Sequence, residues 1–152
     1  MGQAIKKNKV EYIDRVHGNS KGWITRSCID ENGYSQWHYK YLELKETDLT
    51  GENIYITLNT FYKPCRRLEC IKELNFVYID LDYYKTKYTK EQVIMNLESN
   101  YFNKIIPATN YIIDSGRGLA LLWNINKVPS QALPLWKAIQ EYLYHQLKEF
   151  GA

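Results

Sequence analysis

Asp80 and Asp82 are the residues of this chain best suited to chemistry. They close the otherwise apolar run Phe76-Val77-Tyr78-Ile79-Asp80-Leu81-Asp82. Side chains alternate along a strand, so a strand here sets both carboxylates on one face. Carboxylates at the end of an apolar strand are costly unless solvated, hydrogen-bonded or metal-bound. Mg2+ or Mn2+ meets that cost directly, because either ion accepts one or two carboxylates together with phosphate oxygens. Such a site can hold a nucleoside triphosphate and stabilise in-line displacement. Asp-x-Asp is short and common, however, and a solvated strand end explains it as well.

Two further stretches add to the pair. Asp114-Ser115-Gly116-Arg117-Gly118 offers backbone N–H groups, a hydroxyl and a guanidinium that together suit a triphosphate. The plainer reading is a good hairpin turn. Upstream, Asn59-Thr60-Phe61-Tyr62-Lys63-Pro64-Cys65-Arg66-Arg67 brings three cations and two aromatic rings into a short segment. Lys63, Arg66 and Arg67 are thus candidates for nucleic-acid phosphates, with a solvated basic loop as the alternative.

The elements that must position these residues follow from periodicity. Residues 1–20 read as a polar, loosely held arm, and residues 21–152 as a single α+β domain. Trp23–Ile29 and Ser35–Leu42, flanking Asp30-Glu31-Asn32-Gly33, predict a β-hairpin, and a strand follows from Asn53 to Leu58. After the Asp80 strand, Thr89 and Gln92 form a capping-box pattern before a helix that buries Val93, Ile94, Leu97 and Tyr101. Strands are expected over Asn110–Asp114 and Leu119–Ile125. Ser130 then caps a last helix with Leu135, Trp136, Ile139, Leu143 and Leu147 on or near one face. The fold class is α+β, a mixed or antiparallel sheet with packed helices.

Composition bounds the function only loosely. The chain has 152 residues, a net charge of +3 and 14 tyrosines. The charge is too small to imply nucleic acid alone, while exposed tyrosine rings can stack on bases. AT-rich coding would enrich tyrosine equally. No apolar run reaches the roughly 20 residues of a membrane helix, so no membrane is expected and the chain reads as cytoplasmic. Cys28, Cys65 and Cys70 match no familiar zinc spacing and read as reduced thiols.

The order Asn-Thr-Phe-Tyr-Lys-Pro-x-Arg-Arg, then Phe-Val-Tyr-Ile-Asp-Leu-Asp-Tyr-Tyr-Lys, then Ile-Ile-Asp-Ser-Gly-Arg-Gly-Leu-x-Leu-Leu-Trp resembles the primase-polymerases of bacterial plasmids and mobile elements. These belong to the archaeo-eukaryotic primase superfamily. The resemblance spans about residues 53–126. It implies a partial RRM-like primase core, with Asp80 and Asp82 as metal-binding catalytic carboxylates. It also implies that Ser115, Gly116, Arg117 and Gly118 bind nucleotide, with a single-stranded DNA template, nucleoside triphosphates and a replicative helicase as partners. Two departures stand out. Ala120 occupies the nucleotide-binding position where the family carries histidine, and a methyl group can neither donate a hydrogen bond nor carry charge. After Trp123 the acids are Glu141 and Glu149, in an expected helix, and neither fits the family's third acidic motif. A chain ending before that motif is expected to be the N-terminal part of a longer primase. Two rivals keep the same residues in other roles: a catalytically silent single-strand-binding domain, and a manganese-dependent glycosyltransferase using Asp-x-Asp on a nucleotide sugar.

Overall fold

The structure, a computed structural model, describes residues 2–51 and 53–152. Among the described residues, four α-helices and seven strands form an α+β fold with antiparallel strand pairing. Where one domain was expected, the chain resolves into two compact units. One holds the residues up to Asn75 plus Lys127–Ser130; the other holds Phe76–Asn126 and Gln131–Ala152.

The first unit opens with α1 (Gly2–His17), over the stretch expected to be a loose arm. Its apolar positions are sparse, but Ile13, Val16 and His17 fall at helical spacing and are buried. The polar His17-Gly18-Asn19-Ser20 ends the helix: the Gly18 amide donates to the Asp14 carbonyl at 2.9 Å, and Asn19 turns left-handed at φ 60°. The expected hairpin forms as β1 (Ile24–Asp30) and β2 (Gly33–Tyr39). At its turn Asp30 accepts the Asn32 amide at 2.8 Å, and Gly33 adopts φ 106°. Leu42 lies beyond β2, in α2 (Tyr41–Glu46). With β3 (Ile54–Ile56) the hairpin makes a sheet of order β2-β1-β3, and Ile13, Ile24 and Leu44 form the core beneath it. β4 (Thr60–Phe61) pairs with the start of β5 (Ile71–Leu81). In the loop between them Cys65 and Cys70 are hydrogen-bonded thiol to thiol, and that contact first, then burial, holds the Cys70 thiol above its ordinary pKa.

The second unit is built on the later part of β5, with sheet order β5-β7-β6. β6 (Tyr111–Asp114) and β7 (Leu119–Pro129) fall on the two runs expected to be strands, joined by the glycine-rich turn. α3 (Lys90–Asn96) starts at Thr89 as expected: the Gln92 amide donates to the Thr89 hydroxyl at 3.3 Å, and the Thr89 amide to the Gln92 side chain at 3.0 Å. α4 (Leu133–Leu147) begins later than Ser130, which instead opens a short 3₁₀ turn; Pro134 sits in the first helical turn, where a missing N–H costs nothing. Val77, Ile79, Leu81, Val93, Leu97, Leu119, Leu121, Leu143 and Leu147 form the core. Leu135, expected on the buried side, is exposed. In this unit β5 is the sheet's edge, and α4 covers it: Trp136 donates to the Phe76 carbonyl at 2.8 Å, and Gln140 accepts the Tyr78 amide at 2.9 Å. Among the described residues no helix is long and apolar enough to cross a membrane.

Candidate active site

Asp80 belongs to the face of β5 turned away from that core. Val77, Ile79 and Leu81 point into the core, so by alternation Tyr78 and Asp80 point to the other side. Asp80 is exposed to solvent, and among the described residues no cation or hydrogen-bond donor meets it. Its carboxyl is nevertheless pushed above the ordinary value, first by partial desolvation and second by the Asp82 charge. Asp82 follows immediately after the strand, where the chain turns into the 3₁₀ segment Tyr83–Lys85. Lys85 reaches back to the Asp82 carboxylate at 2.6 Å, and Asp82 in turn raises the Lys85 pKa. Gly151, left-handed at φ 91°, packs under this corner, and its carbonyl accepts the Asp82 amide at 2.9 Å.

The glycine-rich turn lies against the same corner. A side chain at Gly118 would begin 2.6 Å from the Leu81 carbonyl oxygen and 3.6 Å from the Asp82 carboxylate. Only a residue without a Cβ lets the turn approach the end of β5 so closely. Much of the turn's polar capacity is spent internally. The Ser115 hydroxyl donates to the Gly118 carbonyl at 3.0 Å and accepts its amide at 3.1 Å, while the Ser115 amide donates to the same carbonyl at 3.0 Å. Asp114 accepts the Gly116 amide at 2.8 Å and pairs with Lys90 at 2.9 Å; Lys90 first, then that amide, holds its pKa below the ordinary value. Arg117 has neither an ion pair nor a hydrogen bond among the described residues. Ala120 pairs with Ile113 across β6 and β7. Leu119 and Leu121 point into the core, so Ala120 shares the face that carries Asp80.

Comparison with known proteins finds a relative over the whole chain. The chain is 72% identical over all 152 residues to a replication protein of Clostridium perfringens. It spans 37% of that relative's length. No family model matches the chain, and no solved structure does.

The second unit thus seats Gly118 against the end of β5 beside Asp82, and sets Asp80 and Ala120 on one face of its sheet. Lys63, Arg66 and Arg67 belong to the first unit. Glu141 lies 3.9 Å from His145, and Glu149 accepts the hydroxyls of Tyr101 and Tyr88. Among the described residues no three His, Cys, Asp or Glu side chains gather as a metal cluster. Lys85, Lys90 and Gly151 were missed. Lys85, three residues after Asp82, was within reach of a spacing argument; Lys90 lies 24 residues from Asp114 and leaves no local signal.

Proposed function

We propose that this chain carries the carboxylate part of a nucleotidyltransferase site of primase type and acts in nucleic-acid replication. The observation that carries the reading is the seat of Gly118 on the Leu81 carbonyl, which joins a guanidinium-bearing turn to a paired-carboxylate strand end. The similarity to a replication protein of Clostridium perfringens supports replication, and with it a nucleic-acid substrate over a nucleotide sugar.

The residues fit a divalent cation. Asp80 and Asp82 are hard oxygen donors close enough for one charge to raise the other's pKa, and Asp80 has no protein cation of its own among the described residues. Mg2+ or Mn2+ held by these two carboxylates would supply charge neutralisation for phosphoryl transfer. Arg117 orients the triphosphate, and its freedom from internal pairing leaves the guanidinium available. Lys85 pairs with Asp82 and holds its carboxylate in place until a cation competes for it. Ala120 adds no charge to this face, so Arg117 and the carboxylates carry the recognition. Template would be single-stranded DNA.

Template-dependent extension of a primed oligonucleotide with manganese tests the reading. Asp80→Asn should abolish extension, and Arg117→Ala should weaken triphosphate binding. Extension unchanged in Asp80→Asn would overturn the mechanism, while metal-independent oligonucleotide binding without extension would favour the silent binding domain.

A further inference from the structure

The β2-β1-β3 sheet of the first unit has one face on its core and one open. Ile24 and Ile56 point to the core, so Thr25, Ser27 and Ile29 point outward with their cross-strand partners. The register sets Tyr34 beside Ile29, and Gln36, Ser27 and Tyr55 in the next row. Tyr34, Ile29 and Tyr55 are 56%, 50% and 55% exposed, an unusual concentration of large apolar surface for one small sheet. Ser27 is itself buried, so these larger side chains form the outer layer of the face. The Tyr34 hydroxyl meets the Ser27 hydroxyl at 3.0 Å and donates to Gln36 at 3.1 Å, so the ring leans along the sheet toward the next row and is fixed there. Arg66 donates to that same hydroxyl at 3.3 Å, setting a cation at the rim. Arg66 has no carboxylate partner among the described residues, and its neighbour Arg67 lies only 3.8 Å from Glu69 in an exposed pair.

We propose that this open face, with Tyr34, Tyr55 and Ile29 as stacking surface and Arg66 at its rim, binds single-stranded nucleic acid. The choice of partner rests on the replication reading above; the choice of surface rests on the sheet alone. Exposed rings accept unpaired bases on their faces, and a rim cation matches the phosphates. In a duplex the base faces are already stacked, so the platform selects single strands.

Fluorescence anisotropy of a labelled oligothymidylate against the 152-residue chain tests this. Tyr34→Ala and Tyr55→Ala should each weaken binding roughly tenfold, while Tyr34→Phe, which keeps the ring, should bind close to the parent. Arg66→Ala should weaken binding and flatten the salt dependence by about one phosphate contact. All three positions are exposed, and an unchanged circular-dichroism melt confirms folding. No binding by the folded parent, parent-like binding by both alanine variants, or equal competition by duplex DNA would overturn the proposal. Manganese-dependent nucleotide binding, measured on the same variants, separates the two readings. If it persists while the tyrosine variants bind oligonucleotide normally, only the platform falls. If it is absent from the parent while the tyrosines still matter, only the nucleotidyltransferase site falls.

Discussion

Asp80 carries an electrostatic cost, because its folded-state pKa is raised by desolvation and by Asp82. A raised carboxylate pKa means that the ionised form is disfavoured in the fold, so above that pKa Asp80 subtracts from stability, and the loss is relieved as pH falls through it. Asp80→Asn should therefore melt no lower than the parent, the usual sign of a residue kept for function. In Asp82→Asn the Asp80 carboxyl should titrate at lower pH than in the parent yet still above the ordinary value, because desolvation, the larger cause, remains. Carbon-detected NMR titration reads both shifts; an unchanged Asp80 titration in Asp82→Asn would show that the two carboxylates do not interact. Gly118→Ala tests the corner from the other side. Its methyl would begin 2.6 Å from a backbone oxygen, which cannot swing away like a flexible side chain. A loss of about 1–3 kcal/mol in chemical denaturation is expected, and a neutral result would mean that the turn is free to lift from β5.

At the scale of elements, strands with regular alternation and helices with a strong cap were legible, and sparse patterns were not. The hairpin announced itself through Asp30-Glu31-Asn32-Gly33, and α3 through Thr89 and Gln92, since both signals are local. α1 was missed because much of its burial is unusual: His17 is 1% exposed and was read as part of a polar boundary. Its ring nitrogen meets the Thr57 carbonyl at 2.7 Å, 40 residues away, a contact no local pattern reveals. Burial, the first cause, lowers its pKa from 6.5 to about 4. Between those values the unfolded chain binds more protons than the folded one, so stability is full above pH 6.5 and falls as pH drops toward 4, by about 3 kcal/mol across the window. Urea denaturation at pH 7.5, 5.5 and 4.5 should show that slope in the parent and a shallower one in His17→Gln; parallel profiles would mean that His17 is not buried neutral.

For the whole molecule, the α+β class was legible because runs rich in aromatic and β-branched residues mark β1, β5, β6 and β7. The division into two units was not. Boundaries fall within the sequence spans of β5 and β7, so no linker composition marks them. The candidate residues divide with the units: the carboxylates and the Gly118 turn fall in one, and Arg66 with the exposed tyrosines in the other. The central claim concerns the first of these sets, and calorimetric binding of a deoxynucleoside triphosphate, with and without manganese, tests it most directly. The account predicts binding that requires manganese in the parent and disappears in Asp80→Asn/Asp82→Asn. Binding that ignores manganese, or that survives loss of both carboxylates, would contradict it.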